Sequence, residues 1–475
     1  MIATAIHEPA VHRRATILES LIPIAALLLL LGIGSGLLTF RMEPMLLLAA
    51  GVAGVIARRL GYSWRDMAHG ISTTLGKAMP ALSIMICIGI MIASWMAAGT
   101  TPMLVYYGLH FISPRFFLLS TAVVCSFVSL FTGTSWGTVG TIGVALMGVA
   151  DGLGVPRAAA AGAIVSGAYF GDKLSPLSDQ TNLAPAVTGA TLFDHIRWLL
   201  WTTLPAWLLG LGVYAFAGLK TRPTAAPELK AIETALASSF HFSGLLLLPP
   251  LIILALIVTG RAPALGMLLA SFVASALAVT VQGRPVAEVV WAMVAGYQAS
   301  TGTPQVDVLL SRGGVLAMLR VILLLIVAFS YAGIMIHCGL FSRILDAALQ
   351  RARGTSGLIN LTVLTGILTA LITGSSHLSI IVPGQLFSEA YSTAGLAAKN
   401  LSRTIEDSGS VVVPLIPWSA AGAYMATTLG VDATRYGIWA VMNYTGFVFA
   451  LIYGATGIAI ARRDAVLQAA PKHVE

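Results

Sequence analysis

The stretch "GAYFGDKLSPLSDQTNLAPAVTG", Gly167 to Gly189, sets Asp172, Lys173, Asp179 and Asn182 between two strongly apolar runs. The chain around it has 475 residues, 57% hydrophobic and only 10% charged, against about 25% charged in a soluble domain. Working outward, Ile17 to Phe40, Met79 to Ala98, Val315 to Ile336 and Tyr436 to Ile458 are each long enough to cross ~30 Å of hydrocarbon, which takes about 20 apolar residues as a helix. The first run follows His12, Arg13 and Arg14, but its length, its Glu19 and the lack of a small-residue cleavage pattern mark it as a retained helix. The expected fold class is an all-α polytopic membrane protein, with the lipid bilayer as its solvent.

The net charge of +8 does not point to nucleic acid, because Lys and Arg sit in short loops between apolar runs, where they set orientation. Arg13 and Arg14 precede the first span and Arg58, Arg59 and Arg65 follow the second, with only Arg41 between them. Arg343, Arg351 and Arg353 form another basic loop, and Arg462 and Arg463 close the last span. Both termini are therefore expected in the cytoplasm, with an even number of crossings. Cys87, Cys125 and Cys338 lie inside apolar runs without paired spacing, which reads as buried thiols rather than a disulfide or metal site.

Comparing the chain with itself reveals a weak internal repeat. Thr39 to Gly54 pairs with Val258 to Ser275 at an offset of 220, "SWMAAG" (Ser94 to Gly99) with "IMIHCG" at 240, "TGTSWG" (Thr132 to Gly137) with "TGSSHL" at 241, and "SPLSD" (Ser175 to Asp179) with "VPLIP" at 238. The order is kept, with one insertion near Gln298 to Gly313. Basic residues favour opposite members of matching loops: Arg58 and Arg59 against a basic-poor loop near Arg284, and Arg115 against the Arg343 loop. The expected organisation is a cytoplasmic tail (1–15), a first transmembrane repeat (16–218), an extracytoplasmic linker (219–242), a second repeat (243–460) and a cytoplasmic tail (461–475). The repeats are expected to be inverted, with discontinuous helices or re-entrant hairpins, and to form a secondary transporter whose site lies where the halves meet.

Polar residues interrupt the apolar pattern at "FTGTSWGT" and "GDKLSPLSDQTNLAPAVTG", and again at "TGSSHLS" and "LSRTIEDSGSVVVPLIPWS". Unwound backbone at membrane depth is tolerated only inside protein or along a wet cavity, so these breaks are expected to line a pathway. A carboxylate there costs at least ~2.5 kcal/mol and needs a partner, a cation or a proton. Asp172 and Asp407 are the candidate Na+ positions, where cation and proton would compete, with Glu406 beside them. The alternative is internal ion pairing, Asp172 with Lys173 or Arg403 with Glu406. Thr134, Ser135, Ser375 and Ser376 offer hydroxyl ligands or interhelical hydrogen bonds. His377 is either proton-sensitive or structural, and Asp179 and Asn182 either share a site or cap a helix. Asp66, Glu288 and Asp307 read as surface residues, and His337 as interfacial.

The segments "GTSWGTVGTIGVALMG", "GDKLSPLSDQTNLAPAVTG" and "LSRTIEDSGSVVVPLIPWSAAGAYMATTLGV" resemble the NhaC-type Na+/H+ antiporter family, over nearly the whole chain from about Ile17 to Ile460. The resemblance implies secondary transport in a bacterial inner membrane without ATP or cofactor, Na+ (or Li+) leaving the cytoplasm as external protons enter, inverted repeats, and often a homodimer. It implies ion-binding positions at Asp172, Ser178, Asp179 and Asn182 in the first half and Glu406, Asp407 and Ser408 in the second. The family also contains exchangers of organic solutes such as malate and lactate, and members that move amino acids. Ser419-Ala420-Ala421 after "IPW" and Ser375 to His377 depart from its usual pattern where a substrate would be read. The second reading is thus cation- or proton-coupled transport of a small carboxylate or amino acid. Arg403, the one arginine at a break that could hold a carboxylate bidentately, sits beside Glu406, which favours the cation. No phosphate loop, HExxH spacing or nucleophile motif suggests an enzyme.

Overall fold

Deprived of water, a backbone can satisfy its amides only by closing on itself, and among the described residues every element is helical apart from an isolated bridge between Leu396 and Arg462. The computed structural model describes residues 13–38, 40–111, 113–220, 226–258, 263–350 and 354–462. His12, Thr39, Pro223, Arg261, Arg351, Arg353 and Arg463, used in the orientation, repeat and linker readings, lie outside them, as does most of each tail.

The first half runs α1 (Ile17–Leu29), which π-helical turns extend to Leu37, α2 (Met42–Arg59), α3 (Trp64–Ala98), α4 (Thr100–Phe111) and α5 (Phe117–Thr132). It continues through α6 (Ser135–Thr138), joined by a π-helical turn to α7 (Val144–Gly152), then α8 (Arg157–Leu174), α9 (Asp179–Thr188), α10 (Leu192–Lys220) and, in the linker, α11 (Ala226–Ser239). The second half has α12 (Leu248–Val258), α13 (Pro263–Thr280), α14 (Val286–Ala295), α15 (Pro304–Leu310), α16 (Val315–His337) and α17 (Leu340–Leu349). It closes with α18 (Gly354–Thr373), α19 (Ser376–Thr393), α20 (Ala398–Ile405) and its π-helical extension Glu406–Ser410, α21 (Ala420–Leu429), α22 (Ala433–Tyr436) and α23 (Val441–Thr456). Five of these helices are long and apolar enough to cross a membrane, or seven if each of two bent pairs counts as one span. Apolar side chains such as Leu18, Phe131, Phe216 and Phe272 are exposed, as a lipid-facing surface requires. This is a multi-pass membrane protein.

Two spans differ from the sequence reading. Met79 to Ala98 is the second half of α3, a continuous 35-residue helix. Its start is fixed by a capping box in which Ser63 accepts from the Asp66 amide while the Asp66 carboxylate accepts from the Ser63 amide, so Arg65 lies in the helix rather than in a loop. Tyr436 to Ile458 is divided between α22 and α23.

Helix boundaries recur 241 residues apart. Gly133 and Gly374 both adopt left-handed φ (+67° and +60°) after α5 and α18. Thr134 and Ser375 then cap the next helix, Ser178 and Ser419 cap α9 and α21, and Gly189 and Gly430 end those two with left-handed φ. This register pairs "SPLSD" with "IPWSA" (Ile416 to Ala420), correcting the 238 offset expected for "VPLIP", because the capping hydroxyl rather than the Pro-Leu pair marks the helix start.

Close approach in the interior depends on small residues. A Cβ on Gly167 or Gly171 of α8 would collide with the Ala122 or Ser126 carbonyl of α5, and the Ser129 hydroxyl of α5 donates to the Ala168 carbonyl at 2.5 Å. Helices α3 and α16 meet through Gly70 with Gly333 and through Gly89 with Gly314, the Gly314 N–H donating to the Gly89 carbonyl at 2.7 Å.

Candidate ion-binding cavity

The four duplicated breaks converge. A cavity of about 910 Å³ is lined by the first turns of four helical stretches: Thr134, Ser135 and Trp136; Asp179 and Gln180; Ser375, Ser376 and His377; and Ala420 and Ala421. Each start carries a hydroxyl cap. Thr134 accepts from the Gly137 amide at 3.2 Å, Ser178 from Thr181 at 3.4 Å, Ser375 from Leu378 at 3.4 Å and Ser419 from Gly422 at 2.8 Å. The capping hydroxyls satisfy one orphan amide apiece, and the remaining amides and the positive ends of four helix dipoles face the cavity region. The wall towards the start of α3 is completed by Thr73, Lys77, Ile336 and His337, with Lys77, Ile336, His337, Asp179 and His377 exposed. The mouth therefore lies on that side.

Asp172 is set into the wall by α8, which carries it to within 2.7 Å of the Ser135 hydroxyl, donating to Oδ2. Its Oδ1 has no partner although the residue is only 5% exposed. Thr132, whose buried hydroxyl also lacks a partner, lines the same cavity. Asp179 and His377 meet across the mouth at 3.0 Å. These two come from different halves, a pairing that sequence spacing does not reveal.

The other expected positions lie elsewhere. Asn182 donates to the Pro176 carbonyl at 2.8 Å and the Ser178 carbonyl at 2.6 Å, tying the turn before α9. Ser408 donates to the Thr404 carbonyl at 2.7 Å and packs on Gly366. Glu406 and Asp407 do not line the cavity. They belong to a second, fully buried polar cluster: Asp407 Oδ1 accepts from Lys173 and, at 3.1 Å, from Thr202, while Glu406 lies 2.7 Å from His195 Nε2, whose Nδ1 meets the Ser402 hydroxyl at 2.9 Å. The ion pairs anticipated within each segment, Asp172 with Lys173 and Arg403 with Glu406, are replaced by these pairs between halves. Successive residues on a helix point about 100° apart, so Asp172 and Lys173 face different neighbours. Arg403 instead donates to the Ala459 carbonyl at 2.9 Å, and its Nε and Nη2 have no partner. At the 241 offset Asp172 falls opposite Val413 and Asp407 opposite Ser166, so the two carboxylates are not counterparts.

His195, Thr202, Lys77 and the Trp136–Tyr424 stack, with ring centroids 4.4 Å apart, were not singled out by sequence. His195 and Thr202 lie inside a long apolar helix, and nothing local marks them. His337, expected at the interface, lines the cavity and packs edge-on to His69. Asp66, Glu288 and Asp307 do have local roles: the α3 capping box, an exposed pair with Arg284, and acceptance from Thr301. The three cysteines are free and buried.

The sequence pattern of the Na+/H+ antiporter family matches residues 167–458, from the Gly that opens α8's packing face to the end of α23. The chain belongs to the NhaC-type Na+/H+ antiporter family. Its relatives include an uncharacterized Na+/H+ antiporter of Haemophilus influenzae, 42% identical over 95% of this chain and 98% of that one. The Na+/H+ antiporter NhaC of Alkalihalophilus pseudofirmus is 37% identical over 92% of this chain and 97% of its own length. The arginine/ornithine antiporter ArcD of Halobacterium salinarum is 35% identical over 95% and 94%. Membership of this family is membership of a class of transporters, and the matched residues include the Asp172 to Gln180 break of the first half and both breaks of the second.

Proposed function

We propose that the protein exchanges cytoplasmic Na+ (or Li+) for external H+ by alternating access, with Asp172 as the group that both ions visit in turn. The supporting observation is the half-satisfied Asp172 carboxylate, with one oxygen held by Ser135 and the other open, in the wall of a solvent-connected cavity. A buried carboxylate oxygen without a donor is unstable unless a proton or cation completes it. Ser135 and Thr132 supply hydroxyl oxygens suited to a hard cation, and helix N-termini steady the charge between visits.

Inverted repeats fit the same reading. The start of α8 meets the end of α21, where Arg157 donates to the Leu429 carbonyl at 3.1 Å. The start of α20 lies beside the α9–α10 corner, where Trp198 donates to Asn400 at 3.0 Å. Each half's broken helix thus ends beside the other's beginning, as a two-fold axis in the membrane plane would arrange it. With Arg58, Arg59, Arg65 and Arg343 on the mouth side, the positive-inside bias makes the mouth cytoplasmic.

A second reading has its own support: four helix N-termini and a 910 Å³ cavity also suit an organic carboxylate or amino acid, and one relative is named for arginine/ornithine exchange. Everted vesicles with an imposed proton gradient separate the two. Na+ or Li+ should dissipate the gradient in wild type and not in Asp172→Asn; a response only to an added carboxylate or amino acid sinks the Na+/H+ reading.

A further inference from the structure

The cavity is closed at the end away from its mouth by packed and paired side chains. Moving along α21 from Ala420 and Ala421 in the cavity wall, Tyr424 comes one turn later, stacked on Trp136 and donating to its carbonyl at 2.5 Å. One to two turns beyond are the Leu429 and Gly430 carbonyls, which accept from Arg157 at 3.1 and 3.4 Å. The same guanidinium pairs with Asp151 Oδ2 at 2.5 Å, and Arg312 reaches that oxygen from the second half at 3.3 Å. Along α3 the cluster is just as remote, because Gly313, next to Arg312, packs on Ala93. That is sixteen residues, or about 24 Å at the helical rise, beyond Lys77 at the mouth.

Four segments are therefore tied into one cluster: the end of α7 through Asp151, the start of α8 through Arg157, the turn before α16 through Arg312, and the end of α21 through its carbonyls on Arg157. That turn is anchored by Gly313 and Gly314, both with φ +87°, whose backbone lies against α3. Asp151 alone neutralises two arginines that would otherwise repel, and its side chain is about 20% exposed, so the pairs are partly shielded from water. We infer that Asp151, Arg157 and Arg312 form an ionic gate that holds the cavity shut on the side opposite its mouth and must part for the cavity to open there. This inference rests on alternating access and not on which solute is carried. Beneath it, the Trp136–Tyr424 stack is a second, apolar layer.

The test reads accessibility without any substrate. Cys87, Cys125 and Cys338 are replaced by alanine, Ala420→Cys is added as a reporter, and vesicles of both orientations are treated with a membrane-impermeant maleimide. The parent should label from the mouth face only. Arg312→Gln should add labelling from the opposite face, several-fold above the parent, while Arg312→Lys keeps the one-sided pattern. Retained mouth-face labelling shows that each variant is folded. In Asp151→Cys/Arg312→Cys, bridging with a short cleavable thiol cross-linker should stop exchange, and cleavage should restore it. One-sided labelling of Arg312→Gln, or exchange at the parent rate in the bridged protein, overturns the gate. Absence of Na+-driven exchange in the cysteine-free parent, whose gate is intact, counts instead against the proposed function and leaves the labelling result standing.

Discussion

Asp172 and Asp407 are both buried carboxylates, and their partners give them different chemistry. Asp407 faces an ammonium, Lys173, and a hydroxyl, Thr202; Asp172 faces the Ser135 hydroxyl and a cavity. Removing the Ser135 hydroxyl takes away a hydrogen bond to a charged group, worth about 1.5 kcal/mol or more. Ser135→Ala should therefore raise the KM for Na+ roughly tenfold while Asp172→Asn abolishes exchange, both read from gradient dissipation in everted vesicles. Lys173→Met strands the Asp407 carboxylate in a fully buried site. It should destabilise the protein by about 3–5 kcal/mol, and the apolar pair Lys173→Met/Asp407→Leu should recover much of that, as thermal unfolding in lipid nanodiscs would measure. A double variant no more stable than the single one would deny that the pair is mutual. The sequence made Asp172, Lys173 and Asp407 conspicuous by placing charge in an apolar chain. It could not pair Lys173 with Asp407 or Glu406 with His195, because each partnership spans more than 200 residues.

At the scale of elements, the position of Asp172 depends on how closely α8 can lie on α5. Gly171 sits in contact with the Ser126 carbonyl and the Leu130 amide, so any larger side chain must push the helices apart. Gly171→Leu overpacks this seam at about 1–3 kcal/mol or more and withdraws Asp172 from Ser135. The expected result is a lowered unfolding temperature together with loss of exchange, whereas Gly212→Leu, where a Cβ has open space around it, should change neither. The breaks themselves were legible: Gly and Pro beside Ser, Thr and Asp mark unwound helix in any apolar context. Their register was not, because "PL" recurs in both halves and only the capping hydroxyls, Ser178 and Ser419, show which residues begin equivalent helices. Only Met79 to Ala98 of α3 was legible as a span, because the polar residues from Trp64 to Lys77 lie outside the apolar run. In the structure Gly70, Thr73, Thr74 and Lys77 from this stretch line the cavity.

For the whole molecule, the proposed inversion of the two halves makes a prediction about sidedness. Cysteines at Glu233 in α11 and at Arg59 at the end of α2 should react with impermeant reagents from opposite faces of the membrane; labelling of both from one face would refute inverted repeats. By itself the sequence determined that this is a multi-pass helical membrane protein of an antiporter family with polar breaks in each half, because hydrophobic run length, turn residues and buried charge are local properties. Only the tertiary structure decided which breaks face one another. It put Asp172 on a cavity and Asp407 in a sealed ion pair, brought His377 to Asp179, and joined Asp151 to Arg312 at the far end. Those outcomes depend on helices meeting across hundreds of residues, where the direction of a side chain, and not its chemical type, chooses its partner.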